Sequence, residues 1–200
     1  MCGNEMRAPR VAPVTMTNTR TVPRPTLGVL RLRPTMRGRG FVVGVVDAAG
    51  PDTNGFAPRD RVAWRAGDEQ IGELVLREQR DVLGVPHWIT DEQVVSYLGP
   101  GLIARALVRT RPFGRGDDVR VEASDPLIAE MTAAWARSLG ARIVDTKADL
   151  AIRDDLRARR AVVAGHGRLA EAAVEVFQAI RRGVFDGVEP VARATSRVAA

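Results

Sequence analysis

Residues 116–144 read GDDVRVEASDPLIAEMTAAWARSLGARIV, and this stretch decides the fold class. Val119 to Glu122 (VRVE) reads as a strand. Asp125 is a good helix N-cap, and Pro126 suits the first helical position. Leu127, Ile128, Met131, Ala134, Trp135 and Leu139 then recur at helical spacing. Gly140 is a natural stop, and Ala141 to Val144 (ARIV) reads as the next strand. Strand, helix and strand joined by short connections predict a right-handed parallel crossover.

Downstream, Ala161 to Ala164 (AVVA) reads as another strand, ended by Gly165-His166-Gly167. Leu169, Ala173, Val176, Phe177 and Ile180 mark a helix that stops at Gly183. Upstream, Thr90 to Gln93 (TDEQ) is a capping box that opens a helix over about Asp91 to Leu98. Gly99-Pro100-Gly101 is expected to break it, with a second helix over Leu102 to Val108. Before that the chain is β-rich. Phe41 to Ala48 (FVVGVVDA), Asp60 to Trp64 (DRVAW), Gly72 to Glu78 (GELVLRE) and Val82 to Pro86 (VLGVP) read as short extended segments between turn-rich stretches. Met1 to about Arg37 is rich in Thr, Pro and Arg with little periodicity, and reads as a loose lead.

Composition excludes several classes. Cys2 is the only cysteine and His87 and His166 are the only histidines, so disulfide scaffolds and cysteine- or histidine-cluster metal sites are out. A single cysteine fits a reducing, cytoplasmic setting. No apolar run reaches the roughly 18 residues of a membrane-spanning helix. The net charge is +6. Seven Arg and one Glu before residue 38 carry all of that excess, because the remainder holds 23 basic and 23 acidic residues. With 4% aromatic residues and no recognition motif, nucleic acid is not the expected partner.

Several stretches in order resemble the medium-chain dehydrogenase/reductase superfamily, in its zinc-free quinone and enoyl reductase branch. Gly44-Val45-Val46, Gly50-Pro51, Gly55-Phe56 and Asp60-Arg61-Val62 are similar to the family's catalytic-domain signature. Gly72 to Pro86 with Thr90 to Gln93, Gly99 to Leu107, Gly116 to Val144 and Arg159 to Gly167 continue the likeness. It implies an α/β chain made of a small, partly open β-rich barrel of the GroES-like kind and a reduced Rossmann-like parallel sheet with helices. The implied organisation is a loose segment at 1–37, a catalytic-domain-like region at 38–88, a nucleotide-binding region at 89–190 and a tail at 191–200. It also implies NADPH as cofactor and a quinone or enone as substrate, with no metal, and a homodimer built on sheet edges.

The chain departs from the family pattern in specific places. Blocks are missing between about Leu32 and Gly38, and around Asp145 to Leu150. The family's Ala-x-x-Gly-x-x-Gly turn is here Ala123, Pro126 and Ala129, and the place of the zinc motif is taken by Gly40-Phe41. Ile103 and Arg105 replace a threonine and a tyrosine. Glycine lets backbone approach pyrophosphate, Pro126 has no N–H to offer, and Asp125 would repel a phosphate.

The candidate cofactor-binding residues are Ala123, Ser124, Gly165, Gly167 and Arg168. Gly165-His166-Gly167-Arg168-Leu169-Ala170 also matches Gly-x-Gly-x-x-Ala, with Arg168 adding charge and Asp186 as the acid about 20 residues on. The plain alternative is a tight strand-to-helix turn, and the resemblance offers a third role with Gly165 lining the nicotinamide site. His166 is the candidate proton donor, while His87 reads as a surface loop residue. Asp117-Asp118, Asp154-Asp155 and the Arg cluster 153, 157, 159, 160, 181 and 182 read as solvated charge. Trp64, Trp88 and Trp135 read as core or junction packing. Three readings stay open: an NADPH-dependent quinone or enone reductase, a cofactor-free binding or partner module, and a non-functional truncated product.

Overall fold

The structure is a computed structural model that describes residues 23–110, 112–153 and 166–189. Five strands, β1 (Val29–Arg37), β2 (Phe41–Ala49), β3 (Arg61–Arg65), β4 (Val75–Glu78) and β5 (Val82–Gly84), form one antiparallel sheet in the order β4-β1-β2-β3-β5. The sheet curls around Leu30, Leu32, Val42, Val46, Val62, Trp64 and Val82.

β1 occupies residues that the sequence reading assigned to the loose lead. Leu30 and Leu32 are fully buried, while Arg31 and Arg33 on the opposite face both pair with Asp47, at 2.7 and 3.0 Å. Burial alternates as far as Thr35, with Leu30, Leu32 and Pro34 inside and Arg33 and Thr35 outside. The pairing of β1 with β2 shifts register at Arg31/Leu32 and Pro34/Met36, and Pro34 inside the run argues locally against a strand. Where the resemblance implies a missing block, β1 and β2 are joined by a tight turn at 38–40. Gly40 adopts φ +81° there, and the Gly38 N–H bonds the Phe41 carbonyl at 3.0 Å.

α1 (Asp91–Val108) opens with the expected capping box between Thr90 and Gln93, and then runs on without a break. The expected interruption at residues 99–101 does not occur. Gly99 faces the Arg39 carbonyl so closely that a Cβ would overlap it, and Gly101 faces Val176 and Met131. Both glycines permit close packing on the buried side of a continuous helix, and Pro100 costs it one internal hydrogen bond. Arg61 ties the barrel to the start of α1 by bonding Asp91 and the Pro86 and Ile89 carbonyls.

β6 (Asp118–Glu122), α2 (Pro126–Ser138) and β7 (Arg142–Ile143) are the expected parallel unit. β8 (Leu150–Arg153), not read as a strand in the sequence, pairs parallel with β6 on its other side, giving the order β7-β6-β8. The link at 144–149 is too short to hold a helix. Its Thr146 carbonyl lies 3.5 Å from the Arg120 guanidinium, which puts it across that face of β6. Parallel sheets are normally covered on both faces; among the described residues, helices pack on one face of this one only. Val119 and Ile152 pack under α1 and α2 with Leu107 and Ile128. The opposite face carries Arg142–Asp118 and Arg153–Glu122 ion pairs. The expected strand at Ala161 to Ala164 lies outside the described residues, as do residues 1–22.

α3 (His166–Arg181) buries Leu169, Ala173, Val176 and Phe177 and stops at Gly183, which has φ +70°. One core runs from the outer side of the curled sheet (Phe41, Val43, Leu83) through α1 (Val94, Leu98, Leu102) to Met131 and Phe177. The β-rich and α/β parts therefore share a core rather than meeting at a linker.

Candidate functional site

The resemblance would seat a dinucleotide's pyrophosphate at the turn between β6 and α2. Ala123 there is half-buried against the cluster beneath the parallel sheet, and Ser124 is exposed. Asp125 caps the helix. Its Oδ1 accepts the N–H groups of Leu127 and Ile128, at 3.0 and 3.4 Å, and its backbone carbonyl accepts that of Ala129 at 3.0 Å. Arg39, on the β1–β2 turn, donates to both carboxylate oxygens at 3.3 and 3.1 Å. Pro126 follows with no N–H. Amides that a phosphate would need are thus held by the chain's own carboxylate at the positive end of the helix. A second anion at this turn would meet a like charge and no free donor from residues 126–128. The residues present do not fit a pyrophosphate here.

The other candidates fall elsewhere. Gly165 lies outside the described residues. His166, Gly167 and Arg168 form the first helical positions of α3, as the Gly-x-Gly-x-x-Ala reading expects of a helix start, and the described side chains of α3 begin at Leu169. His87 is exposed. Asp117 accepts the Gly114 N–H at 2.7 Å in a turn, and Asp118 pairs with Arg142. Asp154, Asp155, Arg157, Arg159 and Arg160 lie outside the described residues, and Arg153 pairs with Glu122. Trp64 is core, Trp88 lies under Arg181 at 5.5 Å, and Trp135 meets Phe185 edge-on at 5.6 Å. Among the described residues, no group of three or more His, Cys, Asp or Glu is arranged to hold a metal ion. No helix there is long and apolar enough to cross a membrane.

Two features escaped the sequence reading. The first is a groove of about 590 Å³ where the curled sheet meets α3, walled by Phe56, Val82, Leu83, Ala173 and Phe177, with Arg80 and Glu78 at its rim. It lies within the usual size range of small-molecule sites. The second is Glu69, whose side chain is 1% exposed. It accepts from Trp64 Nε1 at 3.0 Å, from the Gly67 N–H at 3.1 Å and from Arg77 at 2.9 Å. Burial would raise its pKa, yet the Gly67 and Arg77 contacts hold it below the ordinary value. Nothing local marks Glu69 as buried, because glutamate in a turn is normally solvated.

The curled antiparallel sheet packed on a parallel β-α-β unit is similar in fold to solved quinone oxidoreductases. Three solved structures share it. A mycobacterial quinone oxidoreductase is 24% identical, with TM-score 0.51, over 76% of this chain and 57% of that one. The Pseudomonas syringae quinone oxidoreductase is 19% identical, with TM-score 0.52, over 74% and 57%. The Escherichia coli quinone oxidoreductase, solved with NADPH, is 15% identical, with TM-score 0.51, over 78% and 50%. Identity this low establishes the fold alone, and the chain spans about half the length of these structures. No family model matches the sequence, and no curated protein matches it either.

Proposed function

We propose that this chain keeps an oxidoreductase fold but holds no dinucleotide at its β6–α2 turn, and acts as a cofactor-free small-molecule binding or partner module. The observation that carries this is the Asp125 carboxylate seated on the Leu127 and Ile128 amides and clamped by Arg39. The groove between the curled sheet and α3, apolar and sited at the junction of the two parts, is the ligand position this reading favours. Among the described residues β7 and β8 are the outer strands of the small sheet, and such edges support self-association.

A second reading has one observation in its favour. α3 begins at His166, so NADPH phosphates would rest on that helix start, whose sequence includes Arg168. The chain would then be an NADPH-dependent quinone or enone reductase, with His166 as the candidate proton donor.

Calorimetric titration with NADPH separates the two. Losing a charge-assisted hydrogen bond costs about 1.5–3 kcal/mol, which is roughly tenfold to hundredfold in affinity. Applied to a micromolar site, this gives about 10–100 μM, and the like charge of Asp125 raises the dissociation constant of the unaltered protein beyond about 100 μM. Replacing Asp125→Ser together with Pro126→Gly removes the like charge and adds one N–H donor, and is expected to tighten binding. Micromolar NADPH binding by the unaltered protein would overturn the cofactor-free reading and direct attention to α3.

A further inference from the structure

A second groove, of about 550 Å³, lies between the C-terminal halves of α1 and α2 and the outer face of α3. Glu175 crosses it as the hub of an ion-pair network. It accepts Arg105 Nε and Nη2 at 2.7 and 2.8 Å, and Arg109 Nη2 at 2.8 and 2.9 Å. Arg182 also lines the groove; its backbone N–H bonds the Gln178 carbonyl at 3.1 Å, and its guanidinium has no hydrogen bond to a described residue. Three guanidinium groups thus share Glu175 as their one carboxylate in the groove, and Glu171 acts on Arg105 from outside it, which leaves an excess of positive charge. Among the described residues, Arg105 Nη1, Arg109 Nε and Nη1, and the Arg182 guanidinium remain without an acceptor. The carbonyls at the two nearby helix ends do not take up these donors. Leu107 is bonded by the Thr110 hydroxyl at 2.6 Å and Trp135 by the Ser138 hydroxyl at 2.7 Å.

The remaining wall is apolar, formed by Val108, Trp135, Leu139, Val174 and Val184. Leu139 is 51% and Val174 55% exposed, and they are two of the three large exposed hydrophobic residues among the described ones. Exposed apolar surface gathered beside unpaired cations is the complement of a molecule with one anionic end and one greasy end.

We propose that this groove binds a small amphipathic carboxylate, its acid group on Arg109 and Arg182 and its apolar body against Trp135, Leu139 and Val174. The proposal is independent of where, or whether, NADPH binds. The test is calorimetric titration of the full chain with octanoate, octan-1-ol and acetate at low and high salt. Octanoate is expected to saturate at one per chain, about tenfold tighter than either partial probe, and to weaken with salt. The double variant Arg109→Gln, Arg182→Gln is expected to lose about tenfold for octanoate while melting normally, since neither side chain is buried. Gly84→Leu, which fills the groove between the curled sheet and α3, is expected to leave octanoate binding unchanged. Octan-1-ol binding as tightly as octanoate would overturn the proposal. So would an indifferent double variant, loss of binding in Gly84→Leu, or no saturable binding.

Discussion

Replacing Asp125 with alanine tests the cap on α2 and the clamp on it together. The carboxylate satisfies two amides at the helix start, and loss of such a cap costs about 0.5–2 kcal/mol. Its charge at the positive end of α2 adds about 0.3–1 kcal/mol. The Arg39 pair adds less, because Arg39 is 48% and Asp125 27% exposed, and exposed pairs are worth about 0.2–1 kcal/mol. These contributions overlap, since one carboxylate serves all three, so Asp125→Ala is expected to cost about 1–2 kcal/mol. For a chain of this size that lowers Tm by about 2–8 °C. Asp125→Ser restores a capping acceptor and is expected to recover about half the loss. Arg39→Ala is expected to cost under about 1 kcal/mol, with a coupling of similar size in the double variant. Urea unfolding of the four variants is the assay. A loss in Arg39→Ala exceeding that in Asp125→Ala would refute the assignment of Asp125 as the helix cap, and so would no loss in Asp125→Ala.

Glu69→Gln keeps the side-chain shape but removes the charge facing Arg77, and is expected to cost about 1.5–3 kcal/mol in urea unfolding. The folded pKa of Glu69 lies below its ordinary 4.5, so its contribution is complete above about pH 4.5 and fades as pH falls through the lower folded value. A plot of stability against pH should therefore be shallower on the acid side in Glu69→Gln than in the unaltered protein; identical acid limbs would contradict this. Gly99→Ala raises helix propensity by about 1 kcal/mol, yet places a methyl group on the Arg39 carbonyl, so a net loss of about 1–2 kcal/mol is expected. A stabilised Gly99→Ala would show that the β1–β2 turn does not press on α1.

Local chemistry is legible in this sequence wherever neighbours along the chain decide the outcome. Asp125 and Pro126 start α2, Thr90 and Gln93 close the box on α1, and Gly183 stops α3, each within a turn or two of the residues it serves. The parallel β6-α2-β7 unit follows from the same short-range pattern. Tertiary contact decided the rest. β1 is a strand because Leu30 and Leu32 find the interior of a curled sheet whose other strands lie up to about 50 residues away, although Pro34 inside it argues locally against one. α1 is continuous because Gly99 and Gly101 face a hairpin and α3, where a close approach outweighs their weak helix propensity. Arg39 reaches Asp125 across 86 positions of sequence, and Glu69 is buried only because Trp64, Gly67 and Arg77 converge on it. Both grooves are lined by residues from elements far apart in the chain. Caps and turns involve residues that are already neighbours, whereas burial and charge pairing depend on the distances that the whole chain sets when it folds.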